Sequence, residues 1–562
     1  MSRPARGARP IDRRTLFRYG AAGGAAAAGA RFLPASPEKD PASRPPGGAP
    51  APFDLDGVPI SELQKLMESG AETSRSITTK YLARIDEIDR RGPALRSILE
   101  VNPDALAIAG NLDAERKAGR VRGPLHGIPI LLKDNIGTAD RMTTTAGSLA
   151  LEGSIPAADS WVARRLRDAG AVLLGKTNLS EWANFRSTHS TSGWSGRGGL
   201  CRNPYALDRN ASGSSSGSGA AAAASLCAAA VGSETDGSIV SPSNNCSLVG
   251  IKPTLGLVSR SGIIPIAHSQ DTAGPMARTV ADAAVLLSAL AGADPSDGVT
   301  REAAGKAKAD YAVFAPGDLA GVRIGVPRKG LFGQSGTADR LVEAAISDLK
   351  RLGAVIVDPA DIDSVGDFDK AEFEVLLYEF KADLNAYLAA LPGPAGTHPR
   401  SIAELIVFNE KNRDREMPYF GQEIFLQAEK KGPLTDKAYR DALEKDLRLS
   451  RRDGIDRAIE KHRVDAFIAP TSGPPSLTDL VNGDYGVGGC STLPAVAGYP
   501  HVTVPAGYVR GLPVGVSFFG RAWSEPTLIR IAYAYEQATH HRRAPRFLPS
   551  ADVSGPEAGK GG

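Results

Sequence analysis

The feature that most constrains this chain's fold is a repeated change from helical to strand-like hydrophobic spacing. Residues 160–169 carry apolar side chains at helical spacing, Gly170 ends that pattern, and 171–174 then form an apolar run. Residues 128–132 form a second apolar run between turn residues. Short strands that are apolar on both faces lie inside a sheet covered by helices. The sequence therefore predicts an α/β fold whose sheet is largely buried.

The later part of the chain alternates between a helical insertion and further strands. Residues 361–452 are charged and helical in pattern, with few strand signals, and we expect a helical excursion there. It covers an active-site mouth or forms a plain packing layer; both interpretations are open. Strand patterns return at 466–469 and 501–504, and a last amphipathic helix is predicted over 526–538.

The first 54 residues have the composition of a leader and a linker. Arg13-Arg14 precede an apolar Gly/Ala-rich stretch and the small-residue site Ala28-Gly29-Ala30, which predicts a twin-arginine export signal over 1–30. Residues 31–54 are a Pro/Ala/Gly-rich linker, 55–548 the enzyme domain, and 549–562 a disordered tail. We therefore expect a periplasmic or secreted protein. No later segment reaches membrane-spanning length, which predicts no membrane span.

The net charge argues against nucleic acid as a partner, and the spacing of cysteines and histidines argues against a bound metal. The chain carries a formal net charge of +3, of which residues 1–30 contribute +5, leaving −2 for the rest. No basic patch for nucleic acid is therefore expected. The four cysteines lack CxxC spacing and the eight histidines form no HExxH motif, so we predict neither a metal nor a cofactor. Buried thiols or one late disulfide both fit this pattern.

A Gly/Ser-rich segment, residues 210–219, lies in mid-chain and runs into an Ala-rich helix. Gly and Ser at this density place hydroxyls and N–H groups at a helix N-terminus, which suits a functional loop. Within it, Gly213–Gly217 matches G-x-S-x-G, which would make Ser215 a nucleophile. That motif requires a preceding apolar strand, and the segment before it is polar and turn-like. We interpret the match as fortuitous.

Two further segments complete a candidate catalytic set. Ser238 follows Gly232–Gly237, a tight loop whose consecutive N–H groups can converge as an oxyanion hole. Lys133 stands at the end of the apolar run 128–132. A desolvated lysine loses its proton readily and can act as a general base.

These three segments together resemble the amidase-signature family, over about residues 55–548. Four shorter motifs strengthen the likeness: Gly175–Asn178, Gly250–Thr254, Asp271–Met276 and Gly511–Gly515. The resemblance implies a large central mixed, twisted β-sheet flanked by helices. It assigns Lys133 as the base, Ser214 as the relay serine in a cis peptide, and Ser238 as the acylated serine. Backbone N–H groups of Thr235, Asp236, Gly237 and Ser238 form the expected oxyanion hole.

The resemblance also suggests a substrate. Asp236 replaces the first glycine before the nucleophile, and the Asp-Gly-Ser version is similar to a peptide amidase branch that hydrolyses the C-terminal carboxamide of peptides. Fatty-acid amides, aryl amides or esters are alternative substrates. An inactive binding protein on the same scaffold is the alternative of a different class. We expect a peptide or small-molecule amide as partner, and a monomer or homodimer.

Overall fold

The computed structural model describes residues 52–394 and 396–553, and the statements below concern these residues. The predicted export signal lies outside them, as do most of the linker and the end of the tail. Packing begins at Phe53, whose ring lies 5.8 Å from that of Tyr81. At the other end, Ser550 still donates a hydrogen bond of 2.6 Å to Asp208. The folded domain therefore extends slightly beyond both expected boundaries, 55 and 548.

Helices and strands alternate along the chain. The strands are β1 (Ile98–Val101), β2 (Pro129–Lys133), β3 (Val172–Thr177), β4 (Trp194–Ser195), β5 (Gly199–Leu200), β6 (Ala229–Glu234), β7 (Val249–Lys252), β8 (Thr272–Ala277), β9 (Arg323–Gly325), β10 (Val355–Val357), β11 (Ala466–Pro470), β12 (His501–Val509) and β13 (Leu512–Phe519).

The α-helices are α1 (Ile60–Glu68), α2 (Ser74–Arg84), α3 (Ala105–Lys117), α4 (Trp161–Asp168), α5 (Ser216–Ala223), α6 (Val240–Asn245), α7 (Val280–Leu290), α8 (Gly336–Arg351), α9 (Asp369–Ala389), α10 (Ile402–Lys411), α11 (Arg413–Glu416), α12 (Glu423–Glu429), α13 (Lys437–Leu447), α14 (Asp456–His462), α15 (Thr492–Val496) and α16 (Glu525–Thr539).

Eleven strands form one mixed sheet in the order β1-β3-β2-β6-β8-β7-β12-β13-β11-β9-β10. β2 is parallel to both β3 and β6, and the neighbours in the order β6-β8-β7-β12-β13-β11 pair antiparallel. At the far edge, β9 is parallel to both β11 and β10. Every residue of the central strands β2, β3 and β6 is buried, and helices cover the sheet. The predicted α/β fold, with a large mixed sheet flanked by helices, is confirmed.

The local predictions also hold, with small shifts at the ends of elements. The helix expected over 160–169 is α4, which ends before Gly170 (φ +79°), and the strand that follows it is β3. The insertion expected over 361–452 contains α9 to α13. Its apolar side chains form a second core with residues of the main domain, where Phe380 packs against Phe185 at 5.0 Å. None of the described helices is both long and apolar enough to cross a membrane.

Candidate active site

Lys133 is enclosed because it ends a central strand between two parallel neighbours. Its side chain is 0% exposed. Its Nζ lies 2.7 Å from Ser214 Oγ, 2.9 Å from Ser233 Oγ and 3.1 Å from the Ser233 carbonyl oxygen. A neutral amine has two N–H donors and one lone pair. The two Ser233 oxygens can accept both N–H groups, which leaves the lone pair to accept a proton from Ser214.

The protonation of Lys133 follows from this enclosure. Burial lowers the pKa of the Lys133 ammonium to about 7, although the carboxylates of Asp271 and Glu234 oppose that shift. Desolvation disfavours the charged form of an amine, and no carboxylate among residues 52–394 and 396–553 forms an ion pair with Nζ to restore it. Lys133 is therefore available as a neutral base close to neutral pH.

Ser214 belongs to the Gly/Ser-rich segment, and its hydroxyl contacts Lys133 at the end of β2. The Gly213–Ser214 peptide is cis, Ser214 is fully buried, and its carbonyl accepts 3.0 Å from the Ser180 N–H. The next residue, Ser215, donates its hydroxyl to the Ser233 carbonyl at 3.0 Å. The Ser215 hydroxyl is thus engaged with a buried backbone group, as a structural role requires.

Ser238 lies beside this segment, in the loop between β6 and α6. Its carbonyl oxygen accepts 3.2 Å from the Ser215 N–H, which places the loop against residues 214–215. Ser238 is 7% exposed. The Glu234 carboxylate anchors this loop. It accepts hydrogen bonds from three backbone N–H groups, those of Gly237 (3.0 Å), Ile239 (2.7 Å) and Val240 (3.1 Å).

The anchoring by Glu234 occupies one of the four predicted oxyanion donors. The Gly237 N–H already donates to Glu234, and the φ of Gly237 is +77°, a value that favours glycine. Among the described residues, the N–H groups of Thr235, Asp236 and Ser238 make no intramolecular hydrogen bond. Those three donors are therefore free for a substrate oxygen, whereas Gly237 supplies the turn.

Asp236 adds a buried carboxyl to the same loop. Its Oδ2 accepts 2.7 Å from Thr492 Oγ1, while its Oδ1 is buried without a hydrogen-bond partner. Burial raises the pKa of Asp236, and the neighbouring hydroxyls of Ser491 and Thr492 oppose that rise. Burial also raises the pKa of Glu372 on α9 well above its usual value, and the charge of Asp236 adds to that rise.

A cavity of about 440 Å³ opens beside Ser214. Asn135, Ser233 and Thr235 line it at the catalytic end, and residues 263–266 form an apolar wall. Helix α9 contributes Asp383 and Ala386, so the helical excursion borders this cavity. Ser238 is outside the lining, and its loop reaches the cavity through Thr235.

The cavity lining also carries paired charges. Arg260 forms a bidentate ion pair with Asp297, with Nη2–Oδ1 at 2.5 Å and Nε–Oδ2 at 3.0 Å. His268 Nδ1 lies 2.8 Å from Asp383 Oδ2. Burial by itself lowers the pKa of His268, but Asp383 and Glu379 outweigh it, and the net pKa is raised.

The structure also bears on the predictions about metal ligands and a disulfide. His268, Glu379 and Asp383 place ligand-type atoms within 4.8 Å of one another, a grouping that the sequence spacing did not indicate. Both imidazole nitrogens already face carboxylates, since Nε2 lies 3.4 Å from Glu379, so the cluster is accounted for as an ion-pair network. The four cysteines are buried free thiols, which rules out the disulfide in this structure.

The fold agrees with that of known proteins. The family model described as Amidase matches residues 76–529. The chain belongs to the amidase family. As an amidase it is a hydrolase that acts on the C–N bond of amides.

The amidases most similar to this chain include a solved peptide amidase from Stenotrophomonas maltophilia, 50% identical, with a TM-score of 0.84. That comparison covers 88% of this chain and all of the other. A probable amidase of Arabidopsis thaliana is 42% identical over 506 residues, covering 88% of this chain and 93% of that protein. A solved amidase family protein from Bacillus anthracis is 36% identical, with a TM-score of 0.78, over 88% of this chain and 93% of that chain.

Sequence reasoning missed three polar residues that hold the amidase site together. Ser233 binds Lys133 Nζ, Glu234 anchors the Ser238 loop, and Asp271 accepts 2.5 Å from Thr235 Oγ1. Burial raises the pKa of Asp271 to about 6, opposed by that hydrogen bond from Thr235. Ser233 and Glu234 lie in the segment that precedes Ser238, where only Ser238 was predicted to have a catalytic role. The sequence signal for them is a pair of polar residues at the end of a buried strand.

Proposed function

We propose that this amidase uses Ser238 as nucleophile, Ser214 as proton relay and Lys133 as base to remove the C-terminal carboxamide of peptides as ammonia. Ser238 attacks the amide carbonyl while its proton passes to Ser214, and the Ser214 proton passes to neutral Lys133. The same relay then returns a proton to the leaving nitrogen. Water hydrolyses the acyl-enzyme along the reverse route. The enclosed contact of 2.7 Å between Lys133 Nζ and Ser214 Oγ carries this proposal.

The oxyanion is assigned to the free donors of the Ser238 loop. Within the part of the chain that the structure describes, the N–H groups of Thr235, Asp236 and Ser238 have no hydrogen-bond acceptor, and Glu234 fixes the loop that carries them. Preorganised donors of this kind stabilise a tetrahedral oxyanion, and the loss of one costs about 2.7–4 kcal/mol.

The peptide preference is supported by the chemistry of the cavity. A long acyl chain gains free energy from apolar walls, yet this cavity includes the Arg260–Asp297 and His268–Asp383 pairs. Burying such pairs under a hydrocarbon removes their remaining water without compensation. A peptide offers polar groups to them and apolar side chains to residues 263–266. The similarity to a solved peptide amidase points the same way.

The substrate class is tested by ammonia release from matched amides. Peptide amides, fatty amides and aryl amides are compared by kcat/KM, and we expect the peptide amides to rank highest. A fatty amide that equals or exceeds them would replace the peptide assignment and leave the catalytic assignment standing.

The nucleophile is tested by Ser238→Ala together with a fluorophosphonate probe. Turnover should fall by a factor on the order of 10⁶ at unchanged folding, with no adduct at this position. Ser218→Ala is the matched control, because this buried hydroxyl bonds to Thr177 and the Val231 carbonyl, away from the proposed relay. It should retain labelling. Activity in Ser238→Ala near that of the wild type would reject the mechanism.

We also propose that the protein acts in the periplasm or outside the cell, on the basis of the twin-arginine pattern in residues 1–30. Fractionation of the expressing cell tests this. Replacement of Arg13 and Arg14 by lysine should retain the protein in the cytoplasm.

A further inference from the structure

Asn135 follows Lys133 by two residues and presents an unusual buried side chain to the cavity. It is 3% exposed and lines the cavity together with Ser233 and Ile264. Its Nδ2 donates to Ser233 Oγ at 2.9 Å and is 3.4 Å from the Ile264 carbonyl oxygen. Both N–H groups of the amide therefore have acceptors.

These contacts also fix the orientation of the Asn135 amide. The Ile264 carbonyl oxygen can only accept hydrogen bonds, so the opposite orientation would bring two acceptors together. Oδ1 is consequently directed away from both partners, and it is buried with no hydrogen-bond partner among the residues that the structure describes. Most buried polar atoms are satisfied, and one that lacks a partner calls for an explanation.

We propose that Asn135 Oδ1 is a specificity-determining acceptor that binds the backbone N–H of the substrate's last residue. This inference rests on the proposed function, because it takes the substrate to be the C-terminal carboxamide of a peptide. That N–H is attached to the carbon next to the scissile carbonyl. Asn135 is linked to Ser214 through Ser233 and Lys133, by contacts of 2.9, 2.9 and 2.7 Å, so its amide borders the reacting groups.

The same contact would separate peptides from other amides. A fatty-acid amide has CH₂ at the corresponding position and leaves Oδ1 unsatisfied. A site built around a polar group of the substrate rejects analogues without it, because the protein's own group then remains buried and unpaired. Asn135 thus selects for an acylated amino acid amide, whereas Lys133, Ser214 and Ser238 act on any amide that reaches them.

The test combines one change in the substrate with one in the protein. N-acetyl-phenylalaninamide is compared with the analogue in which CH₂ replaces its backbone N–H, with ammonia release as the readout. In the wild type the analogue should lose about 5- to 150-fold in kcat/KM, the factor for leaving a buried acceptor unsatisfied. In Asn135→Ala the two substrates should differ by less than about 3-fold, because the acceptor is gone.

Asn102→Ala is the matched control for the loss of a buried asparagine. Both polar atoms of its amide have hydrogen-bond partners, with Nδ2 donating 2.8 Å to the Leu173 carbonyl and Oδ1 accepting 2.9 Å from the Asp104 N–H. It should keep the full preference for the N–H substrate. A merely structural role for Asn135 would lower both rates equally and preserve their ratio, which would overturn the inference.

The wild-type measurement stands even if Asn135→Ala does not fold. Equal kcat/KM for the two substrates in the wild type would reject the contact without any variant. If the wild type released ammonia from fatty amides and from no peptide amide, the proposed function would fail instead. The two failures are therefore distinguishable.

Discussion

The proposed base can be removed by Lys133→Ala, which deletes the amine and leaves Ser214 and Ser238 in place. In the wild type, Nζ is enclosed between Ser214 Oγ at 2.7 Å and Ser233 Oγ at 2.9 Å. Burial lowers the pKa of Lys133 to about 7, and the base is active only when neutral. The pH dependence of the reaction should therefore follow the titration of this one amine.

The size of the effect comes from the neutral fraction of the amine. At pH 8 a lysine with a pKa of about 7 is about 90% neutral, whereas one with the ordinary pKa of about 10.4 is about 0.4% neutral. Burial therefore raises the population of active base by roughly 200-fold at that pH. Loss of general-base catalysis should lower the rate by about 10²- to 10⁴-fold.

The assay is kcat/KM for ammonia release between pH 5 and 10. The wild type should rise about tenfold per pH unit below pH 7 and level off above it. Lys133→Ala should lose the change of slope near pH 7, and its residual rate should keep rising with hydroxide. Lys176→Met is the control, because Lys176 is equally buried but bonds to Thr144 and the Ile136 carbonyl. It should retain the wild-type profile.

Two outcomes would refute this reasoning. The first is a wild-type profile whose midpoint lies below pH 5 or above pH 9, which would mean that another group controls the rate. The second is an Lys133→Ala profile that still changes slope near pH 7. Asp271, which lines the cavity and has a pKa of about 6, remains in that variant, so a retained change of slope would show that a group other than Lys133 controls the rate.

Three further predictions concern the groups around the base and the nucleophile. Glu234→Gln keeps one side-chain oxygen for three loop N–H groups, so thermal unfolding should show a loss of about 1–3 kcal/mol together with a lower kcat. Gly213→Ala places a Cβ 2.2 Å from Ser180 Oγ, which should reduce kcat; adding Ser180→Ala should restore part of it, and no recovery would contradict this steric reason. Lys133→Met removes a group that holds fewer protons in the folded than in the unfolded state between pH 7 and about 10.4. Wild-type stability should accordingly rise relative to the variant by about 1.4 kcal/mol per pH unit across that window, as measured by denaturant unfolding at pH 7 and 9; an unchanged difference would contradict the lowered pKa.

The sequence predicts the fold well because its signals are local. The change of period at Gly170 indicates both α4 and β3, since a helix must bury a stripe and a central strand must bury two faces. Lys133 and Ser238 are candidates because of the segments in which they lie, whereas Ser214 is a candidate because the chain resembles the amidase-signature family. Their proposed roles stay predictions until the variants are measured.

The sequence could not predict what each loop N–H binds. Gly237 was expected among the oxyanion donors, but the carboxylate of Glu234 already accepts its N–H. Nothing in the spacing of a Gly-Ser-Glu-Thr-Asp-Gly-Ser run indicates whether the glutamate side chain turns outward or folds under its own loop.

Periodicity and motif spacing are local properties of the chain, so the order of helices and buried strands and the candidates Lys133 and Ser238 could be predicted from them. The resemblance to the amidase-signature family added Ser214. The tertiary structure establishes which groups meet. It brings Ser233, 100 residues after Lys133, to the same amine, and Asp383 from α9 to the cavity. It also leaves Asn135 Oδ1 without a partner. Such contacts depend on strand order and on helix packing across distant parts of the chain, and burial then sets the pKa of Lys133.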